Sequence, residues 1–191
     1  IKAVRIPAGE ADLLIACDLV VSTGYEAMGK VAHGRTHAVI NDNEQPTAAF
    51  VQDPDAYFPA EGMRQKVSAQ VGEQLEFVHA SDIALQLTGD AIGTNLFLLG
   101  YAWQRGWVPV GEAALERAIE LNGVAVEFNK NAFLLGRRFA NQPELVESLL
   151  PQASSHTEAD LTLDQVVEDR FQRLVAYQSV SYAQRYLDQI E

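Results

Sequence analysis

Cysteine is nearly absent from this sequence: Cys17 is the one thiol in 191 residues. No intrachain disulfide can form, and the chain's cysteines alone cannot hold an iron–sulfur cluster or a zinc ion. Set behind the apolar run Leu13-Leu14-Ile15-Ala16, Cys17 is expected to fill core. No apolar stretch approaches the roughly 20 residues that span a bilayer. The opening residues, Ile1-Lys2-Ala3-Val4-Arg5-Ile6-Pro7, have neither the apolar segment nor the small-residue cleavage site of a secretion signal. A cytoplasmic chain without a membrane segment is the expectation, and the start without Met reads as the interior of a longer protein. Bases are also scarce. The 14 Lys and Arg against 26 Asp and Glu give a net charge of −12. That charge repels phosphate backbones, and no Lys/Arg stripe is interleaved with aromatics, so no nucleic-acid partner is expected. The G-x-S-x-G elbow, the Walker A loop and the G-x-G-x-x-G fingerprint are all missing, which argues against a free-standing nucleotide-binding enzyme of Rossmann type. His33, His37, His79 and His156 are scattered without metal-ligand spacing, and no metal site is expected. The chain reads as free of internal repeats and low-complexity tracts.

What is present is 48% hydrophobic residues in a chain long enough for one domain and a small appendage. Ala11 to Cys17 has the continuous apolar pattern of a central parallel strand buried on both faces. Leu19 to Val31 has helical spacing, and Arg35 to Asn41 gives a second β-branched run, so the order is strand, helix, strand. Such a unit implies a right-handed crossover and a parallel sheet. Asp42 to Ala60, with Pro46, Pro54 and Pro59, is loop chemistry. Gly62 to Gln74 reads as a helix and Leu75 to His79 as a third strand. A further helix follows, capped by Ser81 or Asp82 and running through Leu87. Beyond Asp90 the pattern is helical: Asp90 to Gly106 places Ile92, Leu96, Leu99 and Trp103 on one stripe, and Gly93 and Gly100 leave room for another backbone. Helices over Glu112–Leu121 and Val124–Ala140 come next. The fold expected is α/β, a Rossmann-like three-layer domain with a mostly parallel sheet over residues 1–141, followed by a helical arm over 142–191. In that arm Gln152 to Asp160 is linker-like and Leu163 to Ile190 is one long amphipathic helix.

Ligands of open α/β sheets lie beyond the carboxyl ends of the strands. Three such ends can be named: Asp18 with Ser22-Thr23-Gly24, Asn41 to Thr47, and His79 to Asp82. Ser22, Thr23 and Gly24 could cradle a phosphate, or simply start a helix. Asp90 and Asn95 could reach a ligand from a helix amino terminus, although capping is the favoured role for Asp90.

Four segments carry a more specific signal: Gly89-Asp90-Ala91-Ile92-Gly93-Thr94-Asn95-Leu96-Phe97-Leu98-Leu99-Gly100-Tyr101, Trp107-Val108-Pro109-Val110, Ala118 to Asn129 (AIELNGVAVEFN), and Ala132 to Arg138 (AFLLGRR). Together with Ala11 to Val21 and Pro46 to Phe50 in the same order, they resemble the gamma domain of 2-oxoacid:ferredoxin oxidoreductases. The pattern is nearest that of the fused bacterial indolepyruvate type, and it covers most of residues 8–140. The resemblance implies a component of an enzyme that oxidatively decarboxylates a 2-oxoacid, such as indolepyruvate or another aryl pyruvate, to an acyl-CoA and reduces ferredoxin. It implies thiamine diphosphate, Mg and iron–sulfur clusters in the parent enzyme, none of them bound by this piece alone, and contacts to coenzyme A. It further implies packing against thiamine-binding domains of the same or a partner chain, a homo-oligomer, and a glycine-rich strand–turn–helix unit ahead of Ile1. Carried onto matching positions, Asp90, Asn95, Glu127 and Asn129 are the polar residues to watch, against the plainer reading of hydrogen bonds that fix helices. No catalytic residue is implied in this piece. The alternative for the whole chain is a non-catalytic interaction or scaffold domain of the same fold, with the acidic arm as a docking element.

Overall fold

The computed structural model describes residues 5–43, 59–150 and 162–190, and the chain divides into two compact units, Ile1–Pro151 and Gln152–Glu191. The first unit is α/β. Its three strands, β1 (Leu13–Ala16), β2 (His37–Asn41) and β3 (Leu75–Val78), form a parallel sheet in the order β1-β2-β3, with Leu14 opposite Ala38 and Ile40 opposite Phe77. Strand β2 is the one sealed on both faces, with Ala38, Val39 and Ile40 all at 0% exposure. The central position expected for β1 is therefore corrected: among the described strands it is an edge, and Leu13, Leu14 and Ile15 are only half-buried. Apolar continuity in the sequence does not tell an edge from a centre when nearby helices cover both faces.

Side chains alternate across a strand, and the sheet sorts its neighbours accordingly. Leu14, Ala16, Ala38, Ile40, Leu75 and Phe77 face one layer, built from α1 (Leu19–Ser22), α2 (Tyr25–Met28) and α3 (Ala60–Val71) through Leu19, Met28, Val67 and Val71. The helix expected over Leu19 to Val31 is thus two single turns, because Ser22 and Thr23 return their hydroxyls to Leu19 O and Val20 O and close the first turn before Gly24. Leu13, Ile15, Val39 and Val78 face the other layer. It contains α4 (Ala80–Thr88), α5 (Thr94–Gln104), α7 (Val126–Asn141) and α8 (Pro143–Ser148), while α6 (Glu112–Asn122) lies beside them.

The crossing of α5 and α7 is the closest helix contact. A Cβ on Gly100 would stand 2.0 Å from Phe133 O, and one on Gly136 would stand 1.9 Å from Phe97 O. The contact is reciprocal because each helix carries the same tetrapeptide, Phe97-Leu98-Leu99-Gly100 and Phe133-Leu134-Leu135-Gly136. A short internal repeat is therefore present where none was expected. In each copy the hydrogen that stands in place of a Cβ points at the other copy's carbonyl, a recurring weak contact between closely packed helices. Arg137 lies with its guanidinium 4.5 Å from the Trp103 ring and pairs with Glu112, tying α5, α6 and α7 together.

Several boundaries differ from expectation. Residues 91–93 form a 3₁₀ turn ahead of α5, so Ile92 falls off the helical lattice and is 68% exposed. The face that α5 buries is Phe97, Leu98, Gly100, Tyr101 and Ala102, not the Ile92-Leu96-Leu99-Trp103 stripe. Ser81 and Asp82 lie inside the first turn of α4 rather than capping it, because Ser81 bonds across to β2. The first unit also continues past residue 141: Pro143 opens α8, and Val146, 1% exposed, joins the core of the second layer.

In the second unit α9 (Leu163–Tyr177) begins with a Thr162/Gln165 capping box and α10 is Val180–Ile190. The single helix expected there is two. Gln178 leaves helical geometry at φ −139°, and Ser179 Oγ accepts from Tyr182 N at 3.2 Å, which starts a new helix. Ala183 is buried, and the Tyr177 and Tyr182 rings pack 6.1 Å apart across the bend. The linker expected at Gln152–Asp160 lies outside the described residues. Among the described residues no helix is long and apolar enough to cross a membrane.

Candidate functional site

The carboxyl ends of the three strands meet over a buried polar cluster. Asn41, the last residue of β2 and 1% exposed, donates from Nδ2 to Cys17 O at 3.0 Å and to Ser81 Oγ at 2.8 Å. Its Oδ1 accepts from Ser81 N at 3.2 Å. Thr94 Oγ1 gives its one proton to Ala91 O at 2.6 Å, so at the 3.0 Å contact between Ser81 Oγ and Thr94 Oγ1 it is Ser81 that donates. Every proton and acceptor of the chain Asn41–Ser81–Thr94 is used, and burial makes such a network costly to break. It fixes the start of α4 and the 3₁₀ turn on the end of the sheet.

Around this cluster the rim is acidic. Asp18 accepts from Val21 N at 2.8 Å and caps α1, Asp42 pairs with Arg64 at 2.6 Å, and Asp82 accepts from Asn43 Nδ2 at 3.0 Å. Lys66 Nζ donates to Thr23 O at 2.8 Å. Cys17 does not fill core: it follows the last residue of an edge strand and is exposed. Partial burial of the sulfur, and then the neighbouring Asp18 charge, hold its pKa above the ordinary thiol value, so little thiolate forms near neutrality.

The residues singled out in the sequence fall in two places. Ser22 and Thr23 are 2% and 8% exposed and spend their hydroxyl protons on Leu19 O at 2.7 Å and Val20 O at 2.8 Å. Gly24 joins α1 to α2 in an extended conformation. These three sit with the first layer, away from the others. Of the Asn41–Thr47 stretch, 44–47 lie outside the described residues. Asp90, Asn95, Glu127 and Asn129 belong to segments that are in contact, for Gly93 abuts Phe128 and Ala132 so closely that a Cβ would come within 3.4 Å of both. Asp90 Oδ1 accepts from Ile92 N at 2.9 Å and caps the 3₁₀ turn. Asn129 Nδ2 donates to Val124 O at 2.9 Å, closing a loop over Ala125, whose φ of 44° is the one left-handed non-glycine conformation among the described residues. Both therefore hold backbone. Asn95 and Glu127 are exposed, and among the described residues neither side chain makes a hydrogen bond or ion pair. Asn129 also borders an apolar cleft of about 230 Å³ between α5 and α6, lined by Leu96, Leu99, Leu115 and Ile119.

Thr94 escaped notice in the sequence. The signal that could have found its network is Asn41 itself, an amide closing an apolar strand, because a buried amide needs partners on both its atoms.

Among the described residues no three His, Cys, Asp or Glu side chains are grouped to hold a metal ion, and the single thiol cannot ligate a cluster. No family model, no curated protein and no solved structure matches the chain.

Proposed function

We propose that this chain is a Rossmann-like component of a thiamine-dependent 2-oxoacid:ferredoxin oxidoreductase of the indolepyruvate type. In this reading it supplies an interface to the thiamine-binding domains and touches coenzyme A through Asn95 and Glu127. Thiamine, Mg and iron–sulfur chemistry, and ferredoxin docking, fall to other domains of the enzyme. The observation that carries the reading is the fit of the resembling segments to one another. Gly89–Tyr101 and Ala132–Arg138 cross through their paired glycines, and of the four polar residues carried over from the resemblance Asn95 and Glu127 make no side-chain hydrogen bond or ion pair among the described residues. Residues that hold backbone, as Asp90 and Asn129 do, explain themselves structurally; exposed ones in the same motif are available to a partner.

The alternative, a non-catalytic interaction domain of the same fold, is favoured by the strand ends. Their buried polar groups are satisfied internally and their rim is acidic, a poor match for phosphates. The deciding experiment is 2-oxoacid-dependent ferredoxin reduction by the enzyme that carries this chain, with Asn95→Ala and Glu127→Gln beside it. The oxidoreductase reading expects activity in the parent and a raised KM for coenzyme A in the variants. An inactive parent removes the reading, and an active parent with unchanged KM removes the coenzyme A contact.

A further inference from the structure

A second cleft opens in the other half of α7. Asn131, Leu134, Leu135 and Arg138 recur at spacings of three, four and seven, so they form one stripe along that helix. Facing them are Leu87 and Thr88 from the end of α4, and Leu149 just past α8, while Phe128 borders the amino-terminal end of the stripe. The cleft is open to solvent and measures about 430 Å³, within the range of small-molecule sites. Its walls are apolar along most of their length and polar at named points. Among the described residues, Arg138 has no acidic partner and no side-chain hydrogen bond, whereas Arg35, Arg105, Arg117, Lys130, Arg137 and Arg173 are each paired with a carboxylate. Arg5, Lys30, Lys66, Arg170 and Arg185 also lack a carboxylate partner among the described residues, but Arg138 is the cation that lines this apolar cleft.

The structure assigns this cleft to a small amphiphilic monocarboxylate, with its head on Arg138 and its apolar body along Leu134, Leu135 and Leu87. The planar guanidinium matches a carboxylate through two parallel hydrogen bonds. One unpaired cation balances one negative charge, and the acidic chain disfavours anions of higher charge. From Asn131 to Arg138 the stripe runs roughly 10 Å at 1.5 Å per residue, the reach of a medium-length alkyl or arylalkyl chain. Thr88 gives its hydroxyl proton to Ala84 O at 2.7 Å and the Asn131 amide is unengaged, so the rest of the cleft offers no second charge.

The test is calorimetric titration of the whole chain with decanoate and with decan-1-ol, its uncharged counterpart. Two variants accompany it: Arg138→Met, which keeps the stem, and Leu134→Asp, at a position 40% exposed whose change leaves the core intact. Decanoate is expected to bind saturably at one site. Arg138→Met weakens decanoate about tenfold or more, the size of a charge-assisted pair, and leaves decan-1-ol unchanged. Leu134→Asp weakens both. Absence of saturable decanoate binding overturns the assignment, and so does an Arg138→Met variant that binds decanoate as tightly as before or loses acid and alcohol alike.

Discussion

Replacing Gly100 by Ala places a methyl carbon 2.0 Å from Phe133 O, 2.9 Å from Phe133 C and 3.2 Å from Phe133 Cα. A Cβ does not come nearer than about 3.0 Å to such an atom, so α5 and α7 must part by roughly 1 Å. The obstacle is backbone, and no rotamer change relieves it. A gap of that size forfeits roughly a quarter to a half of the dispersion attraction across the contact, and overpacking of this kind costs about 1–3 kcal/mol or more. Alanine's better helix propensity returns about 1 kcal/mol. The net expectation is a loss of about 2 kcal/mol, seen as a lower urea midpoint at constant slope and a melting point roughly 4–8 °C lower. Gly136→Ala should behave alike, since its Cβ would meet Phe97 O at 1.9 Å. The double variant should cost less than the sum, because one separation relieves both clashes. Gly62→Ala is the control: it lies within α3 with nothing inside 4 Å, and is expected to stabilise by about 0.4–1 kcal/mol. A Gly100→Ala protein as stable as the wild type would refute the crossing.

Two further perturbations address other parts of the first unit. Asn41→Ala removes the partner of Cys17 O, of Ser81 N–H and of Ser81 Oγ, and at about 1–3 kcal/mol for a buried polar group left unpaired it should cost at least 2 kcal/mol in denaturant; a cost below about 0.5 kcal/mol would mean that the network is not closed. Tyr101 is 9% exposed, and burial first, then its hydrogen bond to Glu76, hold its pKa well above the ordinary value of 10.0. The folded protein therefore keeps a proton that the unfolded chain loses, so this stabilisation is complete below pH 10 and declines as pH rises beyond it. An absorbance titration should show one of the six tyrosines ionising late, and Tyr101→Phe should abolish that step; six tyrosines ionising together would contradict the burial.

The strand–helix–strand order was legible because short apolar runs at 37–41 (HAVIN) and 75–78 (LEFV) sit between helical spacings, a local signal. The edge position of β1 was not, since apolar runs encode burial and not sheet order. The repeat Phe-Leu-Leu-Gly stood in plain view at 97–100 and 133–136, yet only Gly93 and Gly100 were weighed as notches. Gly136 looked like any helical glycine until the crossing gave it a partner. Similarly, Asp90 and Asn129 drew notice as polar motif residues, and the fold shows both holding backbone. Asp90 and Asn129 are engaged by local bonds, to Ile92 N and Val124 O, whereas Asn41 and Ser81 meet across 40 residues, a contact that spacing within a segment does not reveal.

The assignment of the sheet's two faces to successive parts of the chain matters during synthesis. Residues up to Val78 supply the three described strands and one covering layer, whereas the cover for Leu13, Ile15 and Val39 is drawn from Ala80 to Leu150. A ribosome adding about 5–20 residues per second takes on the order of several seconds to reach Val146 after Val78. For that interval a nearly finished sheet presents one bare apolar side and an open edge at β1. A nascent chain of this design is most vulnerable to aggregation midway, and a chaperone that shields it would be needed for that window alone.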